Sequence, residues 1–128
     1  MPDNAIDKKA LIIDDDERSI KLLSLLLEDI LSVEAAVNGI EGLEKIKQQY
    51  FDVIISDVDM PLMNGIDLYY EAKATDPEIK KRFIFITASC KSHCISFFRN
   101  NNLRHLQKPS SANDIRNMVT AIIGKSES

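Results

Sequence analysis

A doubly wound α/β domain built on a five-stranded parallel sheet is predicted by two features of the chain. Short runs of Ile, Val and Phe alternate strictly with stretches of helical period, and the stronger runs are apolar on both faces, as strands covered by helices on each side must be. The first run is Ala10 to Ile13. A helix follows, marked by the stripe Ile20, Leu23, Leu26, Leu27, Ile30 and Leu31. Val33 to Val37 is a weaker second strand, and Asn38 with Glu41 three residues on forms the start signal of the second helix. Val53 to Ile55 is the third strand, and Asp76-Pro77 closes the helix after it. Phe83 to Ile86 is the fourth, and Leu103 to Leu106 a weaker fifth. Ser111 with Asp114 starts the last helix, whose stripe is Ile115, Met118, Val119, Ile122 and Ile123, and Gly124 can close it.

With 128 residues, 45% of them hydrophobic, the chain reads as one domain over 1–128 with its core in 9–124. "KSES" at the end has the composition of a linker's beginning. Cys90 and Cys94 stand four apart with no secretory signature upstream, which fits a reducing, cytoplasmic setting rather than a disulfide framework. The richest apolar stretch, "IKLLSLLLEDIL", is broken by Ser24, Glu28 and Asp29, so no membrane span is expected. A formal net charge of -4 offers no general attraction to nucleic acid, and Lys80, Lys81 and Arg82 read as a solvated loop.

The chemistry lies at the strand ends. "LIIDDDERS" sets Asp14, Asp15, Asp16 and Glu17 directly after a buried run. Two carboxylates about 4 Å apart repel by about 4 kcal/mol at an effective dielectric near 20, so the acids either point into water or hold a cation. Ligands of doubly wound sheets sit beyond the carboxyl ends of the strands where the winding reverses. With strand order 2-1-3-4-5, strands 1 and 3 are neighbours there, and Asp14 and Asp15 converge with Asp57, the last residue of "DVIISD". Three carboxylates in one crevice suit a hard divalent cation, Mg²⁺. Asp16 and Glu17 read instead as first-turn residues of the first helix, complementing its dipole.

Strand 4 ends in Thr87, and strand 5 is followed by Lys108-Pro109. A hydroxyl and an ammonium beside metal-binding acids are what an incoming phosphoryl group needs. Asp57 can then serve as nucleophile, forming an aspartyl phosphate.

"LIIDDDE", "VIISDVDMPLMNG", "FIFITAS" and "LQKPSS" together resemble the receiver domain of bacterial two-component response regulators, with a flavodoxin-like fold, from Lys9 to Ile123. The resemblance implies that Asp57 accepts phosphate from a sensor histidine kinase or a histidine phosphotransfer protein. It implies that Asp14 and Asp15 bind Mg²⁺, with the backbone carbonyl of Asp59 completing the metal shell. Thr87 and Lys108 would bind the phosphoryl group, with the Lys108-Pro109 bond cis. A signalling domain rather than an enzyme is implied, acting on a further protein and compatible with a homodimer. Receivers usually carry Tyr or Phe three positions before the Lys, as the residue that swings inward on activation. Here that switch position, partnered with Thr87, is His105. Ser110 stands where Phe is frequent, and Asn100, Asn101 and Asn102 replace a Gly-Ala turn. The side chain of Asp59, facing Ser89 across the site, would border the path of the hydrolytic water.

Other readings attach to the same residues. "DVD" at Asp57 to Asp59 is similar to the Asp-x-Asp of haloacid-dehalogenase-type phosphatases, but Met60 and Pro61 replace the expected chemistry and no room is left for a cap domain. Cys90, His93, Cys94 and His105 could be assembled into a zinc set; the simpler expectation is that the cysteines are small buried hydrophobes and His93 lies at the surface. A docking module that is never phosphorylated is a third reading, opposed by the intact acceptor chemistry. Of the adjacent Phe97 and Phe98, one is expected in the core and the other exposed near a partner surface.

Overall fold

The computed structural model describes residues 7–88 and 92–124. Five parallel strands, β1 (Lys9–Ile13), β2 (Ser32–Ala36), β3 (Val53–Ser56), β4 (Phe83–Thr87) and β5 (Arg104–Gln107), lie in the order 2-1-3-4-5. Helices α1 (Glu17–Leu27), α2 (Gly39–Gln48), α3 (Gly65–Thr75), α4 (Ser92–Asn100) and α5 (Ala112–Ile123) connect or follow them.

Alternation along each strand divides the core into two layers. Ala10, Ile12, Val53, Ile55, Ile84 and Ile86 face α1 and α5, where Leu23, Leu27, Ile115 and Val119 meet them. Leu11, Ile13, Ile54, Phe83 and Phe85 face the opposite way, toward Leu68, Tyr69, Ala72, Phe97 and Phe98 of α3 and α4. Side chains of successive strand residues point to opposite faces, so an unbroken apolar run serves both layers at once. The central strands β3 and β4 are buried throughout, whereas the edge strands β2 and β5 are only partly covered. β2 starts and ends one residue before its expected limits and β5 one residue after, whereas β1, β3 and β4 each extend one residue beyond their apolar run.

The expected caps form. Asn38 Oδ1 accepts from Glu41 N at 2.8 Å, and Glu41 Oε1 returns to Val37 N at 2.8 Å. Ser111 Oγ accepts from Asp114 N at 3.0 Å, and Gly124 N closes α5 on Thr120 O at 2.7 Å. Asn64 caps α3 in the same way, accepting from Asp67 N at 2.9 Å. Asp16 differs from the expectation: it is the N-cap of α1, accepting from Arg18 N at 2.9 Å, and that bond holds its carboxyl below the usual range.

Two expectations about surfaces are corrected. Lys80, Lys81 and Arg82 belong to a 3₁₀ helix, Pro77–Arg82, capped by Asp76. Arg82 is not solvated: its guanidinium donates to Phe51 O at 2.8 Å and Asp76 Oδ2 at 3.0 Å and lies over the Tyr50 ring. Phe97 and Phe98 are both buried, because Phe97 meets Tyr69 and Tyr70 on α3 while Phe98 covers Phe85 and His105 on the sheet.

Candidate functional site

The carboxyl ends of β1 and β3 are adjacent, with Ile13 paired to Ser56, so the residues that follow them emerge side by side. Asp57 N donates to Ile13 O at 3.0 Å, and Asp14 N donates to Ala36 O at 3.1 Å, extending the ladder by one residue on each side. The two carboxylates therefore leave a rigid sheet edge. Carboxylate oxygens of Asp14, Asp15 and Asp57 all lie within 4.8 Å of one another, the one such grouping of metal-capable side chains among the described residues. Asp14 is buried, Asp57 partly buried and Asp15 exposed, which makes a crevice open on one side.

Lys108 enters from β5. Its Nζ donates to Asp14 Oδ2 at 2.7 Å and to Asp57 Oδ2 at 3.1 Å. The backbone brings it there: Lys108 N donates to Thr87 O at 2.9 Å, and the Lys108-Pro109 peptide is cis, as the resemblance implied. Thr87 is buried at the end of β4. Asp14 Oδ1 also accepts from Asp16 N at 3.0 Å, and Asp57 Oδ1 from Val58 N at 2.7 Å. These last two donors were not foreseen, since nothing in a sequence marks which backbone amides turn toward a carboxylate.

Burial pushes the Asp14 carboxyl above its usual range, against the opposing pull of the Lys108 ammonium and the Asp16 amide. For Lys108 burial works to lower the pKa, but the bond to Asp14 and the charge of Asp57 outweigh it and hold the ammonium up. The two directions reflect unequal desolvation: the Asp14 side chain is 3% exposed and that of Lys108 26%. Three carboxylates facing one ammonium leave the crevice short of positive charge.

Gly65 supports this arrangement from below. A Cβ there would collide with the backbone carbonyl of Asp57, so α3 can start directly beneath the acceptor candidate only with glycine at its first position. The connecting loop is tight as well. Met63 N donates to Pro61 O at 2.8 Å across Leu62, whose φ of 71° lies in the left-handed region, and Met63 O then accepts from Gly39 N at the start of α2.

The chain matches the profile of the response regulator receiver domain over residues 10–120. It belongs to that family. The receiver is 32% identical over 117 residues to an uncharacterized response regulatory protein of Vibrio cholerae, a match covering 89% of this chain and 48% of that one. It spans about half the length of the curated relatives it matches. Among solved structures, the CheY-like receiver domain protein of Methanospirillum hungatei JF-1 superposes with a TM-score of 0.84 at 27% identity, covering 94% of this chain and 96% of that one. A receiver domain protein of Clostridium thermocellum gives 0.83 at 27% identity, with 94% and 97% covered. Phosphorylation of an aspartate is the general function of this family, and the receiver is a signalling domain of that kind.

Some expected positions stand apart from the acid crevice. The Asp59 side chain is exposed and outside the grouping of Asp14, Asp15 and Asp57. Ser89 and Cys90 lie outside the described residues, as does "KSES". Cys94 is buried and His93 exposed, with Cys94 Sγ 3.5 Å from His93 Nε2, which agrees with the simpler expectation for both. His105 lies on β5 opposite Phe85, its exposed ring stacked on Phe98 with centroids 4.4 Å apart and planes 17° apart. No described helix is long and apolar enough to cross a membrane.

Proposed function

We propose that Asp57 is the residue that accepts the phosphoryl group, taken from a sensor histidine kinase or a histidine phosphotransfer protein in the cytoplasm. The observation that carries this reading is the Asp57 carboxylate at the end of a buried strand, grouped with Asp14 and Asp15 and reached by Lys108 Nζ. The donor set is all oxygen, partly buried and short of positive charge, which fits Mg²⁺. Asp14, Asp15 and Asp57 would hold the ion, with the backbone carbonyl of Asp59. When bound, the ion supplies positive charge beside the transferring group.

The chain's own residues do the rest. Asp57 Oδ1 accepts from the Val58 amide, and Oδ2, the oxygen that Lys108 Nζ reaches, would attack the incoming phosphorus. Attack by that oxygen forms an O–P bond as the bond from phosphorus to the donor nitrogen breaks, and the phosphoryl's negative charge then faces Lys108 and the Thr87 hydroxyl. The same pocket would promote later hydrolysis, with Asp59 bordering the water's path. His105 with Thr87 would convert the new bond into altered partner binding: Thr87 drawn toward the phosphoryl opens space that the His105 ring can enter on leaving Phe98. Reductive trapping tests the acceptor. Borohydride treatment of the phosphorylated chain should convert residue 57 to homoserine, read by peptide mass mapping; homoserine at Asp14, Asp15 or Asp59 instead would reject Asp57.

A further inference from the structure

At the end of the sheet opposite the acid crevice, Lys80, Lys81, Asn102, Leu103 and Arg104 line an open cleft of about 440 Å³. Lys80 and Lys81 come from the 3₁₀ helix that precedes β4, and Arg104 opens β5. No acid is among these residues, although the whole chain carries 20 acidic side chains against 16 basic ones. Lys80 makes no ion pair among the described residues; Lys81 pairs with Glu78, which lines the neighbouring cleft instead. Arg104 is positioned rather than loose: its Nη1 donates to Lys81 O at 3.1 Å, leaving the remaining donors of the guanidinium available. Asn102 holds a left-handed backbone, φ 55°, at the turn into β5 and adds an amide to the rim. Leu103 gives the cleft an apolar wall beneath the cations.

We propose that this cleft binds a small anion carrying two or more linked phosphates, the chemistry shared by inorganic pyrophosphate and nucleoside polyphosphates. Lys81 has Glu78 as its counter-ion, whereas Lys80 and Arg104 make no ion pair among the described residues, so a polyanion in the cleft would give these two cations the partner they lack. Arginine's fixed fork suits phosphate oxygens, and lysine serves as a point charge beside it. A cleft of this volume lies within the range of small-ligand sites, about 300–1,000 Å³, whereas a protein partner would need a broader surface than five residues provide. The site is separated from the crevice by the length of β4, about 15 Å at 3.3 Å per residue, so a bound anion would touch none of the acceptor residues.

The test is titration of the ¹⁵N-labelled chain with pyrophosphate, and separately with ATP, in EDTA at fixed ionic strength. Saturable shifts are expected at the amides of Lys80, Lys81, Asn102, Leu103 and Arg104, with affinity falling about fivefold or more in Arg104→Gln and in Lys80→Gln, the scale of losing one charge-assisted bond. Both variants should still be phosphorylated like the unmodified chain. Equal affinity for the two probes assigns recognition to the phosphates alone; a tighter fit for ATP adds the base against Leu103. Non-saturating shifts, shifts scattered over all surface lysines, unchanged affinity in both variants, or tighter binding of a polyglutamate peptide than of pyrophosphate would each overturn the proposal.

Discussion

Lys108 Nζ stands 2.7 Å from Asp14 Oδ2, closer than its 3.1 Å approach to Asp57. The lysine is therefore first the counter-ion of the most buried acid, and only second a neighbour of the acceptor candidate. A divalent cation in the crevice would compete with it for the same charge. Lys108→Met should destabilise the metal-free chain by about 1–3 kcal/mol, because it leaves buried carboxylates without their partner. The same change should tighten Mg²⁺ binding. Urea unfolding with and without Mg²⁺ checks both signs; weaker Mg²⁺ binding would show that ammonium and metal do not compete.

Asp14→Asn should act in the opposite direction on stability. Burial raises the folded-state pKa of Asp14, so the stability tied to its proton is present below the unfolded value and lost as pH rises through the folded one. At neutral pH its charge is a net cost. Asparagine retains the acceptor for Asp16 N and leaves Lys108 to Asp57. The metal-free melting midpoint should rise by a few degrees, the shift that about 1 kcal/mol produces in a domain of this size. The midpoint increase caused by Mg²⁺ should largely disappear. Differential scanning calorimetry at pH 7 with EDTA or Mg²⁺ measures both effects.

Gly65→Ala should be harmful despite alanine's helix preference of about 1 kcal/mol over glycine. The added Cβ has nowhere to go except into the Asp57 carbonyl. Either α3 or the end of β3, which carries Asp57, must move. Loss of stability together with slowed phosphorylation is expected; a variant more stable than the parent and equally reactive would show that the contact gives way cheaply.

On edge strand β2, Glu34 bonds Lys9, Lys45 and Gln49, and these bonds together hold its carboxyl below the usual range although partial burial opposes them. A lowered folded pKa means stability that is present above the unfolded value and lost as pH falls through the folded one. Glu34→Gln should cost about 1 kcal/mol or less at pH 7, and the difference from the parent should shrink as the pH drops below about 4. Chemical unfolding across pH 3 to 7 resolves it.

The switch role proposed for His105 requires its ring, now stacked on Phe98, to leave that position on phosphorylation. With beryllofluoride and Mg²⁺ as a phosphoryl mimic, the His105 ring protons should lose the upfield shift that stacking on Phe98 imposes. His105→Ala should leave phosphorylation of Asp57 nearly unchanged. Ring signals identical in both states would remove His105 from the switch.

The layered sheet was legible because β1, β3 and β4 are buried on both sides, and a strand in that position has no polar face to blur its pattern. The acid crevice was legible for a related reason: Asp14 and Asp57 each follow a buried run directly, with Asp15 next to Asp14, and topology does the rest. What escaped was decided by side-chain geometry across elements. Phe98 is buried because β5 places His105 beneath it, and Arg82 is held because Asp76 and Phe51 O lie within its reach. Phe51 lies 31 residues from Arg82, and no sequence pattern pairs Arg82 with Asp76 or Phe98 with His105. Asn64 was different, since its pairing with Asp67 repeats the capping pattern that identified Asn38 and Ser111.

Asp57 as acceptor is tested most directly by intact-mass spectrometry after incubation with acetyl phosphate, comparing Mg²⁺ with EDTA and the parent chain with Asp57→Asn. The parent should gain one phosphoryl group in Mg²⁺ alone, and Asp57→Asn none. The same gain in EDTA, or in Asp57→Asn, would contradict a metal-assisted transfer to Asp57.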